Sequence, residues 1–349
     1  MEFQFGVLML CFLCGSALSL ARDIDHLVLR DVNGESLNFL VVGDWGRKGE
    51  YNQSRVAYQM GRIGEELGVE FVISTGDNFY EDGLTGVNDT SFYESFSDIY
   101  TGKSLQKPWY AVLGNHDYRG DALAQLSPVL TSKDIRWHCR RSFTLTKQFS
   151  TPFSLERMLA DSWVQLFFVD TTPFVEKYWK IPNEHNYDWR GVAPRSAYIS
   201  RQLQDLEMGL RTSNATWKIV IGHHTIRSVG YHGDTPELIH LLLPILEKYD
   251  VDLYVNGHDH CLEHIKSVTS KLHFLTSGGG SKSWRGIGDN ADMDGLEMFY
   301  DGQGFMSMQI GPTNLHATFY DIDGNVIHKL DLEKNESLYR TILVEDVVS

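Results

Sequence analysis

Six short segments carry the residues of this chain best suited to chemistry: Gly43-Asp44-Trp45-Gly46, Gly76-Asp77-Asn78-Phe79-Tyr80, Gly114-Asn115-His116-Asp117, Gly222-His223-His224, Tyr231-His232-Gly233 and Gly257-His258-Asp259-His260. Asp, Asn, His and one Tyr are the oxygen and nitrogen donors that suit a pair of divalent or trivalent first-row cations. Such a pair needs a bridging ligand, terminal ligands on each side and open positions for water and substrate, and its usual task is phosphate ester chemistry. Asp77 is the natural bridge. Taken singly, Asp44, Asp77, Asn115 and each histidine are more economically read as strand-end caps or turn residues. Six Gly-flanked donor motifs in one chain are hard to obtain by capping alone.

These donors need rigid elements to hold them. Leu37 to Val42, Val69 to Ser74 and Trp109 to Leu113 are apolar, β-rich runs that stop just before Asp44, Asp77 and Asn115, and they read as strands. Val56, Met60, Ile63 and Leu67, spaced by four, three and four, predict a helix between Asn52 and Leu67. The second half repeats the logic. Val164 to Val169 stops before Asp170, Trp217 to Ile221 before His223, and Leu253 to Val255 before His258. Between them Ile199, Leu203, Leu206 and Leu210 mark one helix, and Leu238, Leu242, Ile245 and Leu246 mark another helical face. Open α/β sheets bind ligands beyond the carboxyl ends of their strands. Two such halves facing each other would bring all the donors to one edge. Phe305 to Ile310, Leu315 to Tyr320 and Val326 to Leu330, with Asp323-Gly324-Asn325 as a tight turn, predict a closing antiparallel meander.

With 349 residues, 42% of them hydrophobic, the chain is long enough for a substantial core. A formal charge of −15 and the lack of any Lys/Arg block argue against nucleic acid as a partner. The charge does not exclude a phosphate substrate, because bound cations dominate the local field. Residues 1–21 read as a cleaved secretion signal: Phe5 to Leu13 is apolar but too short to span a bilayer, and Ser19 and Ala21 fit a small-x-small cleavage site. The first four residues carry no Lys or Arg, a departure from the usual pattern. No later run approaches membrane length, so no membrane partner is expected. The address is then extracellular or cell wall, with a vacuole as the alternative. Cys11 and Cys14 leave with the signal; Cys139 and Cys261 remain, either bridged or as two buried thiols. Sequons at Asn52, Asn88, Asn214 and Asn335 are N-glycan sites if the chain is secreted. Residues 335–349 form a weakly patterned tail after a single catalytic domain, 22–334.

The donor segments match the metallophosphoesterase superfamily and, within it, resemble the purple acid phosphatases. The superfamily opens on Asp-x-His, where the His ligates the first metal; here the triplet is Asp44-Trp45-Gly46, and Tyr80 stands where purple acid phosphatases supply a phenolate instead. A phenolate is a hard, anionic oxygen donor better suited to Fe(III) than a neutral imidazole. The resemblance spans about Asn38 to Leu330 and points to the small single-domain type shared by plants and the mammalian tartrate-resistant enzymes, with plant low-molecular-weight members favoured by Gly43 to Arg47 and Gly114 to Gly120.

What it implies is specific. The fold is an α/β four-layer sandwich, two facing mixed β-sheets flanked by helices. Asp44, Asp77, Tyr80 and His260 hold Fe(III), while Asp77, Asn115, His223 and His258 hold Fe(II), Zn(II) or Mn(II). His116 and His232 approach the phosphate and the leaving group. The activity is hydrolysis of small phosphate monoesters at acid pH by a metal-held hydroxide, releasing inorganic phosphate. His224 next to a ligand is read as packing or support, Asp117 and Asp259 as loop hydrogen-bonding groups, and His240 and His264 as surface or packing residues. Two other readings keep some of these features: a phosphodiesterase or phosphoprotein phosphatase with a colourless Mn or Zn pair, and a secreted iron protein that processes peroxide.

Overall fold

In the computed structural model, Leu37, Phe39 and Val41 turn to one side of their strand and Leu40 and Val42 to the other, and all five are buried. A strand with two buried faces reads as a continuous apolar run, and it requires a layer on each side. The structure describes residues 25–29, 36–149, 162–180, 185–289 and 291–334; the signal segment, the Asn335 sequon and the tail lie outside the described residues.

The strands in chain order are β1 (Asp25–Val28), β2 (Leu37–Val42), β3 (Phe71–Ser74), β4 (Trp109–Ala111), β5 (Trp137–Cys139), β6 (Phe143–Gln148), β7 (Trp163–Phe168), β8 (Trp217–Ile221), β9 (Leu253–Asn256), β10 (Leu262–Lys266), β11 (His273–Ser277), β12 (Leu296–Tyr300), β13 (Gly304–Ile310), β14 (Asn314–Asp321) and β15 (Val326–Glu333). They build two mixed sheets, one ordered β1-β6-β7-β8-β9-β11-β10-β12 and the other β15-β14-β13-β2-β3-β4-β5. Phe39, Ile73, Leu166, Ile219, Leu275 and Met308 belong to the core between the sheets. On one outer face the helix Gln53–Leu67 seats Val56, Met60 and Ile63 against an aromatic cluster around Trp45, Phe96, Trp109 and Trp137. On the other, Ile199, Leu206 and Leu210 of the helix Arg195–Thr212 pack with Leu238 and Leu246. The expected sandwich of two facing mixed sheets flanked by helices is what the chain forms.

Register is what positions the site. β2, β3 and β4 are parallel, with Val42 opposite Ser74 and Ser74 opposite Ala111, so Asp44, Asp77 and Asn115 emerge from one edge. β8 and β9 are likewise parallel, with Ile221 opposite Val255, which brings out His223 and His258 together. The two edges are tied to each other: Ser277 Oγ donates to the Val41 carbonyl at 3.0 Å, and Gly280 N donates to the Gly43 carbonyl at 3.1 Å.

One expected element divides. The apolar face from Leu238 to Leu246 is carried by two short helices, Pro236–Leu241 and Leu243–Lys248, because Pro244 has no N–H to continue the first and is well placed in the opening turn of the second. Cys139 and Cys261 are both buried free thiols, so the unbridged alternative holds. Among the sequons, Asn88 and Asn214 are exposed and Asn52 is half-buried. No helix of the described residues is long and apolar enough to cross a membrane.

Candidate metal centre

The donors converge as two lobes on either side of one carboxylate. Tyr80 Oη lies 2.9 Å from Asp77 Oδ2, 3.1 Å from Asp44 Oδ1 and 3.1 Å from His260 Nε2. The other Asp77 oxygen faces away from this group: His223 Nε2 is 3.4 Å from Oδ1 and 3.2 Å from Asn115 Oδ1. The His258 ring stands 5.1 Å from that of His223, and its backbone N–H donates to Asp44 Oδ2 at 3.0 Å. All seven residues sequence analysis singled out as ligands are therefore brought together, with Asp77 between the two sets.

Three features fit this set to metal. Asp44, Asp77 and His260 form one buried group whose ligand atoms lie within 4.8 Å of one another, and His223, His258 and the adjacent His224 form a second. His223 Nδ1 lies 2.9 Å from the Thr75 carbonyl and donates to it, leaving the Nε2 lone pair directed at the site, the usual arrangement for a metal-binding imidazole. The carboxylates are also held in tension. Burial pushes Asp44 well above the ordinary carboxylate range, with the neighbouring Asp77 charge adding to the rise. On Asp77 burial is outweighed by His223, His116 and two hydrogen bonds, which hold its carboxyl below that range. A bound cation would offset the cost of keeping Asp44 ionised beside Asp77.

The backbone carries strain at the same places. Asp44 (φ 61°), Asp77 (φ 50°) and His258 (φ 69°) all occupy the left-handed region, which costs a non-glycine residue about 1–3 kcal/mol. The surrounding hydrogen bonds over-determine these conformations. Asp117, for example, accepts the N–H groups of Asn78 (3.0 Å), Phe79 (3.1 Å) and Gly114 (2.8 Å), which joins the loop after β3 to the loop after β4.

Comparison with known proteins gives the arrangement a family. A model of the calcineurin-like phosphoesterases matches residues 37–262. The chain is 55% identical to purple acid phosphatase 7 of Arabidopsis thaliana over 326 residues, 93% of this chain and 94% of that protein. It belongs to the purple acid phosphatases. More distantly, it is 30% identical to the rabbit tartrate-resistant acid phosphatase type 5, covering 86% of this chain and 91% of that one. A solved structure of the Plasmodium protein GAP50, described as the anchor in the inner membrane complex, aligns with a TM-score of 0.71 at 25% identity, over 86% of this chain and 90% of that chain. As a purple acid phosphatase the chain is a hydrolase of phosphate esters with the metallophosphoesterase fold.

Around the ligand set this purple acid phosphatase places its remaining polar groups in a cleft of about 380 Å³. His116 sits over Tyr80, with ring centroids 4.4 Å apart; its Nδ1 faces the Glu81 carbonyl and Arg119, and its Nε2 is 3.9 Å from Asp77 Oδ2. His232 stacks on His258, with centroids 4.2 Å apart, at the open side. Asp259 fixes the His232 loop by accepting the N–H groups of His232 (2.8 Å) and Gly233 (3.1 Å). His240 is exposed, while His264 is buried on β10, between β11 and β12, in a chain of imidazoles with His273 and His328. Sequence reasoning missed Arg47, whose guanidinium lies 3.6 Å from the Tyr80 ring centroid while pairing with Glu81. It also missed Tyr178 and Trp284 in the cleft wall. Only the adjacency of Arg47 to Gly46 could have pointed to it.

Gly46 has a structural role besides the lack of a ligand. A Cβ there would run into the Asn78 carbonyl, and the Gly46 carbonyl accepts the Tyr80 N–H at 2.9 Å. Gly46→Ala should lower stability by about 1–3 kcal/mol, the usual cost of overpacking. The urea midpoint measures this, and an unchanged midpoint would show that the loop yields freely.

Proposed function

We propose that this chain is a secreted acid phosphatase that hydrolyses small phosphate monoesters at a dinuclear centre, with Fe(III) held by Asp44, Asp77, Tyr80 and His260 and Fe(II), Zn(II) or Mn(II) held by Asp77, Asn115, His223 and His258. The observation that carries the reading is the position of Tyr80 Oη among Asp44, Asp77 and His260, on the side of the site where backbone closes over Gly46. A hard, anionic phenolate in that set favours a trivalent ferric ion over a divalent one. When bound, the metal pair supplies Lewis acidity, neutralising phosphoryl charge and lowering the pKa of water.

The chain's own residues do the rest. Asp77 presents one oxygen to each lobe and so sets the spacing between them. His116 and His232 flank the cleft, where they can steady phosphoryl oxygens or give a proton to the leaving alkoxide. Arg47, Arg119, Lys177 and Lys282 outnumber Asp77 and Glu81 in the lining of the same cleft, an excess of positive charge within an acidic protein that favours an anionic substrate. Secretion, with N-glycans at exposed Asn88 and Asn214, follows from the signal-like leader and the sequons, and the same reading extends to Asn52 and Asn335.

Purified protein should hydrolyse p-nitrophenyl phosphate at pH 5, contain two metals per chain including iron, and show a visible phenolate-to-iron band that Tyr80→Phe removes. A band that survives in Tyr80→Phe would end the ligand assignment. A colourless Mn or Zn protein would favour the diesterase reading, and peroxide turnover exceeding ester hydrolysis would favour the redox one.

A further inference from the structure

The lone pairs of one hydroxyl fix the protons of a network beside the ligand set. Thr171 Oγ1 accepts the backbone N–H of His223 at 3.0 Å and that of His224 at 2.9 Å. A hydroxyl has two lone pairs, and these bonds fill both. Its third polar neighbour is His224 Nδ1 at 3.3 Å. A proton on Nδ1 would find no lone pair to meet, so the hydroxyl hydrogen must point to Nδ1 and Nδ1 must be bare. This excludes the imidazolium as well as the Nδ1–H tautomer. His224 therefore carries its proton on Nε2, which lies 3.1 Å from Tyr178 Oη.

The direction of the last bond follows. Nε2–H donates, Tyr178 Oη accepts, and the Tyr178 hydroxyl hydrogen is left for another partner. Hydrogen bonds among the described residues give Tyr178 Oη no further acceptor. Tyr178 lines the cleft together with Asp77, Asn115, His116 and His258. His224 is buried, its ring 4.2 Å from that of His258 and its carbonyl accepting the Tyr254 hydroxyl at 2.7 Å, so the relay is anchored at its base.

We propose that Tyr178 is a substrate-contacting residue, its O–H aimed into the cleft as a donor to a phosphoryl oxygen of the bound ester, and that Thr171 and His224 are positioning residues that fix this direction. The assignment rests on the phosphomonoester reading of the site. The non-bridging oxygens of a phosphate monoester are mostly acceptors, with at most one of them protonated at acid pH, so a wall group held as a donor is complementary to it, whereas the same phenol turned to accept would meet a repelling lone pair at most of them.

The test is Tyr178→Phe in the metal-loaded full chain. kcat/KM for p-nitrophenyl phosphate should fall by about 10- to 100-fold, the loss of one hydrogen bond to a charged acceptor. The Ki of inorganic phosphate should rise in parallel, with metal content and the visible band unchanged. Thr171→Val should lose in the same direction and add little to Tyr178→Phe in the double variant, since both break one network; Thr171→Ser should restore the native values. Independently of turnover, ring-nitrogen NMR of the zinc-loaded protein should show His224 protonated at Nε2. A His224 Nδ1–H tautomer, or unchanged kcat/KM and phosphate Ki in Tyr178→Phe beside an active wild type, would overturn the assignment. Failure of the wild type to hydrolyse the ester would instead count against the phosphatase reading itself.

Discussion

Asp77→Ala should leave a folded protein that binds neither metal and turns over p-nitrophenyl phosphate at least about 10⁴-fold more slowly, a large share of an acceleration that starts near 10⁶ in ordinary enzymes. The argument is geometric. One Asp77 oxygen lies 2.9 Å from Tyr80 Oη, and the other 3.4 Å from His223 Nε2. Among the described residues no second carboxylate divides its oxygens between the side chains of the two lobes: Asp44 Oδ1 lies with Tyr80 and His260, at 3.1 and 3.5 Å, and its Oδ2 accepts the His258 backbone N–H. Removing Asp77 therefore takes a ligand and a negative charge from each lobe at once. The fold should survive, since the change also removes one of two mutually repelling buried carboxyls. Metal analysis and circular dichroism read the two halves of the expectation separately. Two metals per chain in the variant would show that Asp77 is no bridge. Asp77→Asn is the informative companion: it preserves the hydrogen-bonding outline yet supplies no charge, and it should lose most of the metal too.

His232→Ala should behave in the opposite way, keeping both metals and the colour while losing turnover by about 10²–10⁴-fold, the range for a group that moves a proton in the transition state. Its side chain stacks on His258 but is joined to the protein through its backbone N–H, which Asp259 holds, so its removal leaves the ligands in place. Desolvation pushes this imidazole down to about 4, with the Asp259 charge opposing the shift and nearby cations adding to it. A bound phosphate anion opposes the same shift. The pKa of His232 should consequently be higher in the substrate complex than in the free enzyme, so the alkaline limb of kcat, where the proton donor is lost, should lie at higher pH than the matching limb of kcat/KM. Unchanged turnover in His232→Ala would reduce the residue to a packing role.

Much of this could be read before any coordinates, for a physical reason. β2, β3, β8 and β9 are buried on both faces apart from the half-buried Asn38 and Lys218, so each reads as a mainly apolar run, and each meets a glycine within two residues of its end, where the chain turns to deliver a candidate ligand side chain. Asp44, Asp77, His223 and His258 were legible as the residues after those glycines. β10 and β12 were not, since Glu263 and His264 interrupt the pattern at positions that are nonetheless buried. The division at Pro244 was hidden by a leucine pattern that continues through it. Least visible was the Thr171, His224 and Tyr178 relay: Tyr178 stands in the four-residue helix Lys177–Lys180, too short to show a period, and its partner is 46 residues away. Contacts of that kind belong to the tertiary fold alone.

The carbonyl of Asn78 packed against Gly46 also bears on ancestry and engineering. Because the space a histidine would need is filled by main chain, an imidazole-ligated centre cannot be rebuilt here by exchanging side chains, even with Gly46→His and Tyr80→Phe combined. The peptide after Asn78 would have to move, and with it the Asp117 contacts that bind the loop after β3 to the loop after β4. If Tyr80 is the ligand proposed above, exchanging it for a histidine at position 46 would thus take a change of loop path in this chain, not only replacements at the two positions.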